Sequence, residues 1–257
     1  MSIDFFIFGI MPYVALTVLI VGSIARYERD PFTWKSSSSQ LLRRKQLMWG
    51  SVLFHVGIIV VFFGHLVGLF TPIWVLDVIG ISYGFKQLMA IVVGGIAGVA
   101  ALIGASMLLH RRLSDPRIRK TSSFADIGIL SLIWLQLVVG LGTIFLSMKH
   151  LDGGEMVRFM TWAQSVMGLQ LNAWLEVANV HALFKFHIFL GLLIVILFPF
   201  TRLVHMLSAP VRYLWRPGYQ VVRSRRQTPL SGRRGAAASA PTRAAQPSAG
   251  GIAKPAE

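Results

Sequence analysis

Phe54–Gly68 reads FHVGIIVVFFGHLVG, and His187–His205 reads HIFLGLLIVILFPFTRLVH. With their flanks, both supply the roughly 20 apolar residues that cross a bilayer as a helix. Each stretch carries two histidines. An ionisable side chain inside a span is costly, so it faces the bundle interior and serves a structural hydrogen bond or a functional one. A single such histidine leaves those readings level; four on two helices favour ligation.

The rest of the chain fits this reading. Of 257 residues, 54% are hydrophobic and 14% charged, and the mean hydropathy is +0.64. A soluble globule averages about 25% charged residues, so a soluble enzyme is excluded and an all-α integral membrane protein is expected. Five apolar stretches are long enough to span, at Phe5–Ala25, Met48–Phe70, Gln87–Leu109, Phe124–Leu146 and Val180–Leu207. No Lys or Arg precedes the first and no small-residue cleavage site closes it, so it is expected to persist as a span. Cysteine is absent, which removes disulfides, thiolate zinc sites, cysteine-held iron–sulfur clusters and covalent haem attachment.

The charge pattern sets a direction. Lys and Arg number 25 against 10 acids, and they gather beside apolar runs, which marks cytoplasmic membrane edges rather than a nucleic-acid surface. Arg26, Arg29, Lys35, Arg43, Arg44 and Lys45 follow the first span, and Arg111, Arg112, Arg117, Arg119 and Lys120 follow the third. The second loop offers Lys86, and the fourth Lys149 and Arg158. The positive-inside rule then puts the amino terminus outside and the carboxyl terminus in the cytoplasm. The long fourth loop, Met148–Asn179, contains an amphipathic segment, Gly154–Leu175, expected to lie along the outer interface. Beyond Gln227 the chain turns to Ala, Pro, Ser, Gly and Arg, so residues 1–227 are expected to form the spanning domain and 228–257 a disordered tail.

Helix geometry tests the histidines. At about 1.5 Å and 100° per residue, His187 and His205 share one face about 27 Å apart, while His55 and His65 lie about 15 Å apart with faces about 80° different. The two spans are antiparallel, which puts His65 level with His187 near the outside and His55 level with His205 near the cytoplasm. An iron midway between each pair would give two irons about 21 Å apart. Iron with two axial imidazoles has no open position and passes electrons rather than activating oxygen. Gly57, Gly64, Gly68 and Gly191 fit either the approach of a flat ring or small-residue helix packing. Arg202 fits either a haem propionate or snorkelling to headgroups. His110, His150 and His181 read as surface or interfacial residues.

Several motifs together resemble one family. They are RY at Arg26, SSQLLRRK at Ser38–Lys45, LFHVGI at Leu53–Ile58, GH at Gly64, HRRLSDPRIR at His110–Arg119, HLDGGEM at His150–Met156, WAQSV at Trp162–Val166 and LFPFTRLVH at Leu197–His205. The chain resembles the gamma subunits of respiratory nitrate reductase, five-span dihaem cytochromes b, from about Pro12 to Tyr219. The resemblance implies two b haems, the outer on His65 and His187 and the inner on His55 and His205. It implies oxidation of a quinol near the outer face of a bacterial inner membrane, with electrons leaving to an iron–sulfur beta subunit and a molybdenum alpha subunit in the cytoplasm. It also tilts Lys86 toward a quinol site, where the residue alone reads equally well as snorkelling to lipid phosphate. Two other readings stay open: a dihaem quinol-oxidising subunit of a sulfur or heterodisulfide complex, and a non-haem transporter.

Overall fold

The computed structural model describes residues 2–30, 34 and 44–208. The expected tail, 228–257, lies outside them, as does most of the first basic loop. The described residues are helical, without strands. In chain order they form α1 (Met11–Arg29, preceded by a π-helical segment Phe5–Ile10), α2 (Arg44–Phe70), α3 (Ile73–Ile79), α4 (Tyr83–Ser114), α5 (Pro116–Lys120), α6 (Phe124–Ser147), α7 (Gly154–Met167), α8 (Trp174–Ala178) and α9 (Ala182–Leu197). Two 3-10 turns, Phe198–Phe200 and Arg202–Met206, follow α9. Five helices are long and apolar enough to cross a membrane: Phe5–Arg29, Lys45–Phe70, Tyr83–Ser114, Phe124–Ser147 and Ala182–Phe200. These are the five expected spans. The 32 residues of α4 extend about 48 Å against a hydrocarbon core of about 30 Å, and His110 lies in its last turns.

The order of neighbours positions the site. α2 packs on α4, α4 on α6, α6 on α9 and α9 on α1. The histidine-bearing α2 and α9 are therefore held apart by the two helices between them. The α2–α4 seam is made of small residues. A Cβ at Gly57 would stand 2.5 Å from the Ala97 carbonyl oxygen and 2.6 Å from the Ala101 nitrogen, and one at Gly104 would meet the backbone of Phe54 and Gly50. Gly57 therefore serves helix packing, the small-residue reading. Gly64 and Gly68 do not: a Cβ on either meets nothing within 4 Å.

The fifth span differs from the single helix expected over Val180–Leu207. α9 stops at Leu197, because Pro199 has no N–H for the ladder and its ring crowds the preceding turn. Thr201 is extended, at φ −118° and ψ −178°. Carbonyls freed by the break are met from α1, where Arg26 Nη1 donates to Pro199 O and Thr201 O, both at 2.8 Å. One turn earlier on α1, Gly22 makes room for the proline ring, which a Cβ there would approach to 2.8 Å. The 27 Å spacing of His187 and His205 assumed an unbroken helix and does not apply. α2 is continuous through His55 and His65, which keeps those two about 15 Å apart along it.

Amide side chains pin the end of the bundle that carries His65 and His187. Gln164 on α7 donates to Leu69 O at 3.2 Å and Thr71 O at 3.0 Å, capping the last turn of α2. Gln87 donates to Ser147 O at 2.9 Å and His150 O at 2.7 Å. Trp162 Nε1 donates to Phe8 O at 3.0 Å, within a core that includes Val166, Val177 and Phe184. Of the amphipathic segment Gly154–Leu175, residues Gly154–Met167 form α7, which packs over this end of the bundle through Trp162 and Gln164. His181 caps α9, its Nδ1 accepting from Leu183 N at 3.1 Å.

Candidate functional site

Four imidazoles meet in two pairs. The rings of His65 and His187 have centroids 6.1 Å apart and planes inclined by 43°. Those of His55 and His205 are 6.3 Å apart and inclined by 71°. Each pair joins α2 to the fifth span, in the combinations that depth predicts. Two imidazoles bound through one nitrogen each at about 2 Å on opposite sides of a metal have ring centres about 6 Å apart.

Hydrogen bonds select the tautomer. His55 Nδ1 lies 2.7 Å from Ser51 O and His65 Nδ1 2.8 Å from Val61 O, each one turn back on α2. His205 Nδ1 meets Arg202 O in the same way. A carbonyl accepts only from N–H, so the proton sits on Nδ1 and the lone pair on Nε2. That is the arrangement in which imidazole ligates a metal through Nε2 while its other nitrogen is anchored. No group of three or more His, Cys, Asp or Glu that could hold a metal ion occurs among the described residues. A pair of histidines leaves most of a metal's coordination shell to be supplied by a bound group.

His187 is held differently. Its backbone oxygen accepts from Gln136 Nε2 on α6 at 3.1 Å, and its Nε2 lies 3.5 Å from the same amide nitrogen. A Cβ at Gly140, one turn further along α6, would stand 2.8 Å from His187 Cε1. Gln136 and Gly140 were not singled out by sequence reasoning; the available signal was a lone amide amid the apolar residues of a span.

The other candidates are also placed. Lys86 Nζ donates to Gly68 O at 3.0 Å and Met160 Sδ at 3.3 Å. Its side chain is thus turned toward the end of α2, one turn beyond His65. Arg202 Nε stands 2.9 Å from Asp126 Oδ1, and Asp126 also closes a capping box with Ser123 at the start of α6. Arg112 Nη1 donates to Ser122 Oγ at 3.3 Å.

Fold and site define a membrane-spanning helical bundle whose second and fifth spans face each other through two histidine pairs. Comparison with known proteins gives the family. Residues 4–225 match the nitrate reductase gamma subunit family. The chain is 45% identical over 224 residues to the respiratory nitrate reductase 2 gamma chain of Escherichia coli (strain K12), covering 87% of this chain and 98% of that one. It is 44% identical over 223 residues to the respiratory nitrate reductase 1 gamma chain of the same organism, covering 87% and 98%. It is 42% identical over 219 residues to the nitrate reductase gamma chain of Bacillus subtilis (strain 168), covering 85% and 97%. The chain belongs to the nitrate reductase gamma subunit family, and it is a membrane subunit of an oxidoreductase complex.

Proposed function

We propose that this subunit oxidises quinol near the outer face of the membrane and delivers the electrons to iron–sulfur and molybdenum subunits of a nitrate reductase on the cytoplasmic side. The observation that carries the reading is the pair of centroid distances, 6.1 Å for His65–His187 and 6.3 Å for His55–His205. Facing neutral imidazoles, with Nδ1 anchored at His55, His65 and His205, would suit haem b as its histidine ligands. In this reading His65 and His187 hold the outer haem, and His55 and His205 the inner one. When bound, each haem takes up and gives up single electrons between the quinol and the partner subunits.

The chain's own residues do the rest. Lys86 exchanges its bonds to Gly68 O and Met160 Sδ for a quinol oxygen. Its ammonium favours the anionic form as the hydroxyl proton leaves. Carbonyls of Ser51, Val61 and Arg202 keep the imidazoles in the ligating tautomer. Arg202, tethered at Nε by Asp126, partners a propionate of the inner haem. The basic loops and the carboxyl terminus then face the cytoplasm and the partner subunits. The family membership favours nitrate reductase over a sulfur or heterodisulfide complex, and over a transporter.

A reduced-minus-oxidised visible spectrum of the purified complex tests this. The expected result is two b-type components, one lost in both His65→Ala and His187→Ala, the other in both His55→Ala and His205→Ala. Absence of haem bands, or loss of one component in both His55→Ala and His65→Ala, refutes the assignment.

A further inference from the structure

The four histidines are not equivalent. At His55, His65 and His205 a backbone carbonyl of the preceding turn meets Nδ1. At His187 no such carbonyl is present: Nδ1 is buried and has no hydrogen-bond partner. One other buried orphan belongs to the residue beside it. Gln136 Oε1 is likewise buried without a partner, although Gln136 Nε2 already donates to His187 O at 3.1 Å. An orphaned donor and an orphaned acceptor on adjacent side chains are each costly, by about 1–3 kcal/mol for a buried polar group. The arrangement makes sense when one is intended for the other.

The surrounding helices bring the two side chains together. His187 projects into the gap where Gly140 lacks a Cβ, and the Gln136 amide lies 3.5 Å from the place a Cβ on Gly191 would take. Gln136 and Gly140 are one turn apart on α6, as are His187 and Gly191 on α9. Gly140 is thus required by the His187 ring, whereas a Cβ at Gly191 would make ordinary contact with the Gln136 amide. The Gln136 amide is held to α9 through His187 O at 3.1 Å, and its nitrogen lies 3.5 Å from His187 Nε2.

We propose that Gln136 is the positioning residue for His187, its amide oxygen accepting the Nδ1 proton when Nε2 is committed to a ligand, with Gly140 leaving room for the imidazole. Gln136 takes the part that backbone carbonyls play at the other three histidines. The inference rests on the reading of the histidine pairs as axial haem ligands. A side-chain acceptor differs from a carbonyl in one testable way: it can be strengthened or removed. Hydrogen bonding to Nδ1–H makes the imidazole a better donor to iron and so favours the oxidised state; removing the bond favours the reduced state.

The experiment is a redox titration of the intact complex in membranes, resolved into its two spectral components, for Gln136→Glu, Gln136→Leu and a His187→Ala reference. Gln136→Glu supplies a stronger acceptor of the same length. It is expected to lower the reduced-to-oxidised ratio of the component lost in His187→Ala by at least threefold at fixed poise. Gln136→Leu is expected to raise that ratio by a similar factor, with the second component unmoved. Low-temperature electron paramagnetic resonance should show the outer low-spin signal displaced in both variants. Opposite shifts separate positioning from a structural role, which moves both variants the same way or loses haem outright. Where Gln136→Leu fails to accumulate, Gln136→Glu decides alone: a ratio unchanged or raised overturns the proposal. Equal shifts in both components overturn it too. A His187→Ala variant that keeps both components refutes the haem assignment itself, whereas its loss of one component with unshifted Gln136 variants refutes Gln136 alone.

Discussion

Replacing Arg26 should loosen the inner histidine pair while leaving the outer pair intact. Arg26 Nη1 reaches from α1 to the carbonyls of Pro199 and Thr201 at 2.8 Å each, where the fifth span breaks. Hydrogen bonds to a charged donor contribute about 1.5–3 kcal/mol each, so the two give about 3–6 kcal/mol. Water at the membrane edge recovers part of this for the abandoned carbonyls, which leaves a cost of about 2–4 kcal/mol for Arg26→Met. Methionine keeps much of the apolar stem, so the change isolates the guanidinium. The segment released is Phe198–Met206, which carries His205; His187 sits further up α9, beyond the break. For a chain of this size the cost corresponds to a fall on the order of 10 °C in the midpoint for loss of the inner site. Arg26→Lys, which presents a single ammonium to the same carbonyls, should fall between. The assay is a thermal ramp of detergent-solubilised complex, following by visible absorbance the two haem components that the proposed function assigns. If both components are lost together at a lowered midpoint, or the inner one is as stable as in the unmutated protein, the tether argument is wrong.

Three further outcomes are expected. Gly57→Leu should separate α2 from α4, since even its Cβ meets Ala97 O at 2.5 Å, and spectra should show both haem components diminished; Gly128→Ala, where a Cβ meets nothing within 4 Å, should keep both. His181→Ala removes the side-chain cap of α9 and should cost about 0.5–2 kcal/mol by thermal unfolding, with His181→Asn restoring most of it and haem content unchanged in either. Lys86→Ala should cut quinol-driven haem reduction severalfold with both haems retained and artificial-donor activity of the partner subunits unaltered; quinol-driven turnover at the normal rate removes Lys86 from the mechanism.

Much of this arrangement is legible in the amino-acid order. Apolar length alone marks the five spans, because hydrocarbon thickness imposes it. Counting residues along α2 and the fifth span pairs His65 with His187 and His55 with His205 by depth, and the rings do meet in those pairs. The break at Pro199 was visible as a proline inside an apolar run, but its consequence was not. The extended Thr201 and the change of rise depend on carbonyls being met from α1, a partner distant in sequence. Arg26 was read as a topological charge, and its contact with the fifth span leaves no local trace. Glycines divided in the same way: sequence treated Gly57 and Gly64 alike, whereas one is pressed against the backbone of α4 and the other faces open space. Which face of a helix meets a neighbour is a property of the bundle.

Three of the four histidines ride on α2 and α9 and the fourth on the 3-10 turn after α9, but their separation is governed by three other helices. Helices in direct contact approach to about 8–10 Å, and a glycine seam brings them closer still. A flat group gripped between facing imidazoles therefore calls for helices that are near each other yet not packed together. α4 holds α2 through the Gly57–Gly104 seam. α6 holds α9 through Gln136 and Gly140. α1 holds the broken end of the fifth span through Gly22 and Arg26. Since none of these residues is among the four paired histidines, substitutions on α1, α4 and α6 should alter ring-to-ring distance without touching an imidazole. Each should act on the level it supports: Arg26 and Gly22 on His205, Gln136 and Gly140 on His187, and the α2–α4 seam on both at once. That division follows from the order in which the helices pack.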